Sequence, residues 1–559
     1  MGPLVRLALL ACLLALSGCA SVLLRFPQDV AASFARDDMR RMETEHLELY
    51  YPAAHQEAAT SIAARLEQCI GKLRAQETTQ RRRDKFLVFL TSSDFNNAYV
   101  QPTTPGIPQM MVLPVHMSLD LFDLYGIGTN SVGDVSCHEA VHYVTFEQVE
   151  GFWRGLNAVT GGLLSPQSFV DSWVHEGMAT YYEARLGKPV GRPRSPFYRG
   201  VFAAGLASET DLDAGYLNAE QRMQNPYGPP YLTGLEFTEY LARTYGEEKL
   251  WQLLDQQGRS IFSPLGVTLR FKSVYGRSIG ALFDDFVRER KVKEAARKRP
   301  ADQRVLVPDV GTFARLAAAR DGTLATVSSG RDEPSRLILR DRDGTVRASR
   351  RLAHVLPFRK TIVSSPVAFS GLSFSPDGKR LYLVGADLDS VGSFVAKLWE
   401  VDAADGSLSR IVADDLSGFG GCSTADGSGY VFVQIASDHA SLVRIDLKDG
   451  TRQTLFEAPP STSITAPACS PDGASVAFAQ RDDHGLDLRL LQADGTAIWL
   501  TQDGRSNILP RWVDAGHLVF MREEAGRSQA FVMETRLAHR VADDRRAVRS
   551  PRAGAVRAE

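Results

Sequence analysis

Residues 138–142 read His138-Glu139-Ala140-Val141-His142. Two histidines four positions apart on a helix lie on one face, a turn apart, so both imidazoles can reach one metal ion. Glu139 lies next to that face and can take a proton from a metal-bound water. Upstream, residues 131–134 form a capping box typical of the start of a helix. The stretch therefore predicts a metal-binding helix that carries its own base.

A second stretch, Trp173-Val174-His175-Glu176-Gly177-Met178-Ala179, places a carboxylate on another predicted helix. The two stretches resemble the HExxH and WxxEGxA motifs of gluzincin metallopeptidases such as aminopeptidase N and its relatives. The resemblance covers roughly residues 42–297, and it implies that His138, His142 and Glu176 bind zinc.

Two histidines and one carboxylate leave a fourth zinc position open, which is typical of catalytic rather than structural zinc sites. Zinc there would polarise a scissile carbonyl and lower the pKa of the water that Glu139 activates. The alternative is a chance HExxH on a packing helix, with both histidines bonded to neighbouring residues.

The chain departs from the gluzincin pattern in three places. Residues 143–175 make the gap between His142 and Glu176 longer than usual, and a loop insertion is the simple account. His175 stands where the family usually has asparagine; it contacts substrate or a ligand, or it forms a structural hydrogen bond at the helix start. Glu183 lies two turns after Glu176, and a solvent-exposed helix charge is the favoured interpretation. Orientation of a ligand histidine is the alternative.

Peptide hydrolysis also needs a hydrogen-bond donor for the developing oxyanion. Tyr231 is the candidate, because residues 231–237 resemble the helix that follows the zinc site in gluzincins. Tyr227, Tyr181 and Tyr182 compete for this role, and packing in the core is the alternative for each tyrosine.

The fold implied for residues 42–300 is an α+β gluzincin-type metallopeptidase domain that is mostly helical around the zinc site. Residues 109–115 are predicted to form a strand, where gluzincins place the edge strand that pairs with extended substrate. The GxMEN stretch that holds the free amine in aminopeptidases is not in the sequence. These features favour an endopeptidase.

Beyond residue 305 strand-like runs alternate with Asp-Gly turns, as expected for an all-β region. Ser375-Pro376-Asp377-Gly378 and Ser470-Pro471-Asp472-Gly473 are identical turns, and a second Asp-Gly turn falls within each unit. Two hairpins per unit fit four-stranded blades. The turns resemble those of TolB-like β-propellers, so residues 305–543 are predicted to form a propeller of five or six blades. A β-sandwich with coincidental turns is the alternative.

The N-terminal segment has a short apolar run, Leu7–Leu16, that ends in Leu16-Ser17-Gly18-Cys19. It resembles a bacterial lipoprotein signal, which implies a signal peptide over residues 1–18, lipidation of Cys19 and a polar tether over residues 19–41. Because aspartate does not follow the cysteine, the resemblance favours the outer membrane, facing the periplasm. An ordinary secretory signal with a chance cysteine is the alternative.

The formal net charge of −2 gives no indication of a nucleic-acid partner. The cysteines after Cys19 are scattered without a CxxC pair, and small buried hydrophobic residues are the favoured interpretation. A disulfide is the alternative in an oxidising periplasm. Residues 544–559 are predicted to be a disordered tail.

The sequence as a whole predicts a lipid-anchored zinc peptidase that acts on a peptide or protein substrate. The propeller would be an accessory domain that restricts access or binds a protein partner. A non-catalytic scaffold of the cell envelope, with the propeller as the binding module, is the alternative function.

Overall fold

The computed structural model describes residues 26–75, 85–93, 98–102, 108–115, 132–160, 165–186, 192–194, 199–200, 202–203, 206, 212–218, 228–296, 314–328, 334–356, 369–388, 394–436, 439–459, 462, 464–482, 485–502, 507–524 and 527–535. The predicted signal peptide, Cys19, the first capping residue Ser131, Tyr227 and the predicted tail lie outside the described residues.

The N-terminal region contains a mixed sheet of five strands in the order β1-β2-β3-β5-β4, namely β1 Met39–Glu43, β2 Leu47–Pro52, β3 Phe86–Thr91, β4 Tyr99–Gln101 and β5 Met110–Pro114. Strands β2, β3 and β5 are parallel, whereas β1 and β4 pair antiparallel at the two edges. The strand predicted over residues 109–115 is present as β5, but the prediction that it lies at the edge of the sheet was wrong. The short strand β4 covers β5, with Tyr99 opposite Val112.

The helices of this region are α1 Gln28–Arg36, α2 Gln56–Arg74, α3 Val132–Phe146, α4 Gly151–Thr160, α5 Ser172–Leu186, α6 Gly228–Tyr245, α7 Glu248–Arg259, α8 Thr268–Tyr275 and α9 Ile279–Ala295. Helix α2 buries an apolar stripe with helical spacing, as its sequence predicts. The stripe packs against β2 and α3, so the sheet and the helix that carries the HExxH motif share one core.

The segment predicted to be a tether, residues 19–41, is folded from Phe26 onward, so this prediction was wrong for residues 26–41. Helix α1 buries Val30 completely. The rings of Phe26 and Phe34 pack on Phe89 of β3, with centroids 6.0 and 5.8 Å away. These apolar contacts attach the segment to the sheet because they remove its aromatic surface from water.

The four cysteines among the described residues form two disulfides, and the prediction that they are unpaired buried hydrophobes was wrong. Cys69 of α2 is bonded to Cys137 of α3, which directly precedes His138. Cys422 is bonded to Cys469 in the β-rich region. The partners are far apart in sequence, so only the folded chain brings them to disulfide distance.

The C-terminal region is a β-propeller. Its described strands form five antiparallel sheets: β6 Arg315–Ala318, β7 Leu324–Ser328, β8 Arg336–Arg340 and β9 Val346–Arg351; β10 Phe369–Phe374, β11 Arg380–Leu388, β12 Phe394–Asp402 and β13 Leu408–Ala413; β14 Gly418–Ser423, β15 Gly429–Ala436, β16 His439–Asp446 and β17 Arg452–Glu457; β18 Ile464–Cys469, β19 Ser475–Asp482, β20 Gly485–Gln492 and β21 Ala497–Trp499; and β22 Asn507–Trp512, β23 His517–Glu524 and β24 Arg527–Glu534. A short helix, α10 Leu352–Val355, follows β9.

The blades contact one another in sequence order through their first strands, from β6 to β22. The predicted Asp-Gly turns connect strands within the blades. In both SPDG turns the glycine has a positive φ, 71° at Gly378 and 74° at Gly473. The preceding aspartate accepts a hydrogen bond from the backbone N–H two residues on, as Asp377 does from Lys379. Local turn chemistry therefore fixes the hairpins.

Among the described residues, every helix is too short or too polar to cross a lipid bilayer.

Replacing Cys69 and Cys137 with serine should destabilise the N-terminal region by about 2–4 kcal/mol, because the unfolded chain regains the freedom that the disulfide removes. Most described helices lie in this region, so a denaturant titration monitored by the far-UV circular dichroism of helices measures the loss of stability. The matched control replaces Cys422 and Cys469 and should leave the helix midpoint unchanged. Equal helix midpoints for the Cys69/Cys137 variant and the unaltered chain would contradict this expectation.

Candidate metal centre

The structure brings His138, His142 and Glu176 together from two helices. His138 and His142 lie one turn apart on α3, and their Nε2 atoms are 3.2 Å apart. Oε2 of Glu176, on α5, lies 3.4 Å from each of these nitrogens. The three atoms form a nearly equilateral triangle. A tetrahedral zinc ion with bonds of about 2.0–2.1 Å keeps its ligand atoms about 3.3 Å apart, so the triangle has the size that such an ion requires.

The polar atoms of this triangle lack other partners that would explain their burial. His138 and His142 are buried, and Oε2 of Glu176 is a buried oxygen that makes no hydrogen bond. A buried carboxylate oxygen without a hydrogen bond is costly unless a cation is nearby. Imidazole and carboxylate are ligands that suit zinc, and the residues present therefore fit a zinc ion.

The three side chains shift one another's pKa because they lie close together. Burial alone would lower the pKa of His138, but the carboxylates of Glu176 and Glu183 outweigh it and raise that pKa to about 9. Burial likewise opposes ionisation of Glu176, yet His142 and His138 hold its pKa well below the ordinary value. The raised pKa of His138 favours a protonated ring, and a metal ion that binds here would compete with that proton.

Glu139 completes this group. One of its carboxylate oxygens and one ring nitrogen from each of His138 and His142 lie within 4.8 Å of one another. Burial raises the pKa of the Glu139 carboxyl, and the neighbouring histidines offset only part of this effect. A carboxylate with a raised pKa is suited to accept and return a proton near neutral pH.

Glu183 contacts His138 directly, so the prediction of a solvent-exposed charge was wrong. Its side chain is buried, and Oε1 lies 3.0 Å from Nδ1 of His138. A carboxylate at Nδ1 favours the tautomer with a free electron pair on Nε2, the atom that faces Glu176. The spacing of two helical turns from Glu176 was the signal in the sequence, but spacing alone does not tell a buried carboxylate from an exposed one.

Arg192, which no motif in the sequence indicated, explains why Glu183 can be buried. Its backbone N–H donates to Oε2 of Glu183 at 3.1 Å, and its Nε donates to Oε1 at 2.9 Å. Its Nη2 lies 3.0 Å from Nδ1 of His138. The guanidinium balances the carboxylate charge, as buried charges require.

Tyr231, the predicted oxyanion donor, lies beside this cluster on α6. The guanidinium of Arg192 lies 5.2 Å from the centroid of its ring. Burial raises the pKa of Tyr231, and the nearby Glu176 carboxylate raises it further by charge and by a hydrogen bond. The phenol therefore keeps its proton and can donate it to an oxygen.

Two of the competing tyrosines have a different role. The hydroxyls of Tyr181 and Tyr182 donate to the carboxylate of Glu247, at 3.0 and 2.6 Å. Tyr182 also accepts a hydrogen bond from Trp251. These hydrogen bonds connect both phenols of α5 to the N-terminal end of α7.

His175 forms the structural hydrogen bond that was one of its two interpretations. Its Nε2 lies 2.9 Å from the backbone oxygen of Gln167, to which it donates. Burial lowers the pKa of His175 to about 4, so the ring is neutral. The bond ties the start of α5 to the segment before it.

A glycine contact positions the helices of the site. A Cβ atom on Gly177 of α5 would lie 2.7 Å from the backbone carbonyl of Gly234 on α6. The same atom would lie 2.7 Å from Oγ1 of Thr238. Only glycine allows this approach of two helix backbones, and it places Glu176 of α5 beside Tyr231 of α6.

Comparisons with known proteins do not assign a family. No protein-family model matches the chain. An uncharacterized protein of Treponema pallidum (strain Nichols) is 27% identical over 282 residues, which is 49% of this chain and 24% of that protein. The chain thus spans about a quarter of the length of the curated relative it matches.

Solved structures similar to the chain include two TolB proteins. The putative TolB from Agrobacterium tumefaciens is 16% identical, with 42% of this chain and 80% of that chain covered and a TM-score of 0.33. TolB from Acinetobacter baumannii is 19% identical, with 40% and 52% covered and a TM-score of 0.32. Similarity at this level says nothing about what this chain binds or cleaves.

Substituting Gly177 with alanine should destabilise the protein by about 1–3 kcal/mol, because the added methyl group overlaps the backbone of α6. It should also weaken zinc binding, since α5 can yield only by moving Glu176. The matched control is Gly155→Ala on α4, where nothing lies within 4 Å of the added atom. That variant should keep its zinc affinity and be as stable as the unaltered chain or slightly more so. Equal zinc affinities for the two variants, measured by competition with a chelator, would disprove the positioning role of Gly177.

Substituting Glu183 with glutamine should weaken zinc binding by about 10–100-fold, the usual effect of losing the partner of a ligand histidine. Isothermal titration of the metal-free protein with zinc measures the change. The control is Glu248→Gln, an exposed glutamate at the start of α7, which should bind zinc as the unaltered chain does. An unchanged affinity for Glu183→Gln would mean that its contact with His138 has no influence on the metal centre.

Proposed function

We propose that this chain is a zinc-dependent peptidase, an endopeptidase that hydrolyses peptide bonds with Glu139 as the general base. His138, His142 and Glu176 would hold the zinc ion. The proposal rests on the triangle formed by Nε2 of His138, Nε2 of His142 and Oε2 of Glu176, whose sides are 3.2, 3.4 and 3.4 Å. A protein that only provides a binding surface would not need a buried base beside such a triangle.

When bound, the zinc ion would polarise a peptide carbonyl and lower the pKa of a water molecule. Glu139 is the residue that would take the proton from this water and pass it to the amine of the leaving group. Its burial supports this role, because a carboxylate with a raised pKa can both accept and donate near neutral pH.

Tyr231 would donate a hydrogen bond to the carbonyl oxygen of the scissile bond as negative charge develops on it. The raised pKa of this phenol supports a donor that stays protonated. The positive charge of Arg192 over the ring supports the same role, because it favours negative charge nearby.

Glu183 and Arg192 would act as positioning residues rather than as groups that touch substrate. Glu183 would hold His138 in the tautomer that binds metal, and Arg192 would hold Glu183. Their burial keeps water from competing for these hydrogen bonds, so the ligand geometry stays fixed before substrate binds.

The proposed location is the periplasmic side of a bacterial envelope, with a lipid anchor at Cys19. The two disulfides support an oxidising compartment, because cytosolic thiols are kept reduced. The propeller would be an accessory domain that binds a protein partner or limits access to the metal centre.

The test is peptide cleavage by the zinc-loaded protein, measured on a peptide library by mass spectrometry. Glu139→Gln should lower kcat by about a hundredfold or more and leave one zinc ion per chain, because Glu139 is not a ligand in this proposal. Substituting either histidine should remove both zinc and cleavage. The control Glu57→Gln changes an exposed glutamate of α2 and should cleave normally.

Two results would overturn the proposal. Cleavage that survives Glu139→Gln would remove the general base from the mechanism. A zinc-free protein that cleaves none of the peptides but binds an envelope protein through its propeller would support the scaffold instead.

A further inference from the structure

An apolar patch lies on the surface around helix α4. Among the described residues twelve large apolar side chains are exposed, and half of them lie on two short segments. The patch consists of Phe152, Val159, Ile261, Phe262, Leu265 and Leu269. Val159 is 87% exposed and Leu265 is 67% exposed. Single exposed apolar residues are ordinary, but a cluster of this kind marks a surface that contacts something other than water.

The two segments of the patch are fastened to each other. The backbone N–H of Glu150 donates to the carbonyl oxygen of Gly258 at 3.0 Å. The indole N–H of Trp153 donates to the carbonyl oxygen of Ser260 at 2.6 Å. Trp153 lies on the buried side of α4. The neighbouring Phe152 is exposed and lies next to the segment that begins with Ile261. These two hydrogen bonds hold the start of α4 beside the segment that begins with Ile261.

The outward side of α4 lacks the polar residues that a water-exposed helix normally carries. Its exposed positions are filled by Gly151, Phe152, Gly155, Ala158 and Val159, with Arg154 as the one charged residue. Residues 151–160 lie between the second histidine and the glutamate of the metal centre. The long gap between His142 and Glu176, which was predicted to be a loop insertion, therefore contains this helix.

Every charged residue within the two segments of the patch is positive. Residues 151–160 and 261–275 contain no aspartate or glutamate, and they contain Arg154, Arg270 and Lys272. Arg154 and Lys272 are exposed. Glu150 and Asp255, which border these segments, both pair with Arg259. An apolar surface that carries exposed arginine and lysine side chains has the composition of surfaces that enter the headgroup region of anionic membranes.

We infer that the apolar patch docks on an anionic lipid bilayer, with Phe152, Val159 and Leu265 inserted among the lipids and the cations on the headgroups. A second copy of the chain fits the patch less well. A symmetric dimer through the same surface would place Arg154 and Lys272 of one protomer near those of the other. Docking through the patch holds the chain segment between the metal ligands at the membrane, and it would occur whether or not the chain cleaves peptides.

The experiment uses photocrosslinking of the full chain to vesicles. A benzoylphenylalanine replaces Val159 in one protein and Val532 in the matched control, a strand residue that is 65% exposed and far along the chain in the propeller. The vesicles contain phosphatidylethanolamine and phosphatidylglycerol, or phosphatidylcholine alone. Lipid adducts should form at position 159 on anionic vesicles about tenfold more than at position 532, and they should fall on neutral vesicles.

A double variant tests whether the patch itself causes docking. Phe152→Ser with Leu265→Ser should abolish lipid adducts at position 159, while its denaturation midpoint and zinc content stay those of the unaltered chain, because both side chains are exposed. The control Val513→Ser removes an exposed apolar side chain of the propeller and should keep the adducts. Equal lipid adducts at positions 159 and 532, or adducts from position 159 to a second protein chain, would overturn the inference.

Discussion

Two imidazole nitrogens and one carboxylate oxygen lie within 3.4 Å of one another where protein, rather than water, surrounds them. Such an arrangement is unfavourable unless the three atoms share a positive charge. The rest of the N-terminal region is arranged to maintain it. A disulfide fixes the residue before His138, and the Gly177–Gly234 contact lets α5 approach α6 closely enough to orient Glu176.

The buried charges around these three atoms must also be balanced. Glu183 lies against the far side of the His138 ring, and Arg192 neutralises Glu183 while stacking over Tyr231. Each group is buried because the next one compensates its charge. Tyr231, the proposed oxyanion donor, and the proposed metal ligands therefore belong to one hydrogen-bonded cluster. A substitution of one member should alter the hydrogen bonding of the others.

The sequence predicts best what depends on local geometry. The spacing of His138 and His142 puts both rings on one helix face, and the Asp-Gly turns of the propeller follow from backbone angles that glycine adopts readily. What depends on distant parts of the chain could not be predicted. The disulfide partners, the burial of Glu183 by Arg192 and the covering of β5 by β4 arise only when separate segments meet. The outward apolar side of α4 was also missed, because the gap that contains this helix was predicted to be a loop insertion.

Zinc X-ray absorption of the purified chain is the sharpest test of whether His138, His142 and Glu176 bind one metal ion. We expect one zinc ion with nitrogen and oxygen ligands only, at about 2.0–2.1 Å, including two imidazoles. His142→Ala should lose that spectrum. A chain that retains no zinc, or a zinc ion with sulfur ligands whose spectrum is unaffected by His142→Ala, would show that these three residues are not the metal ligands.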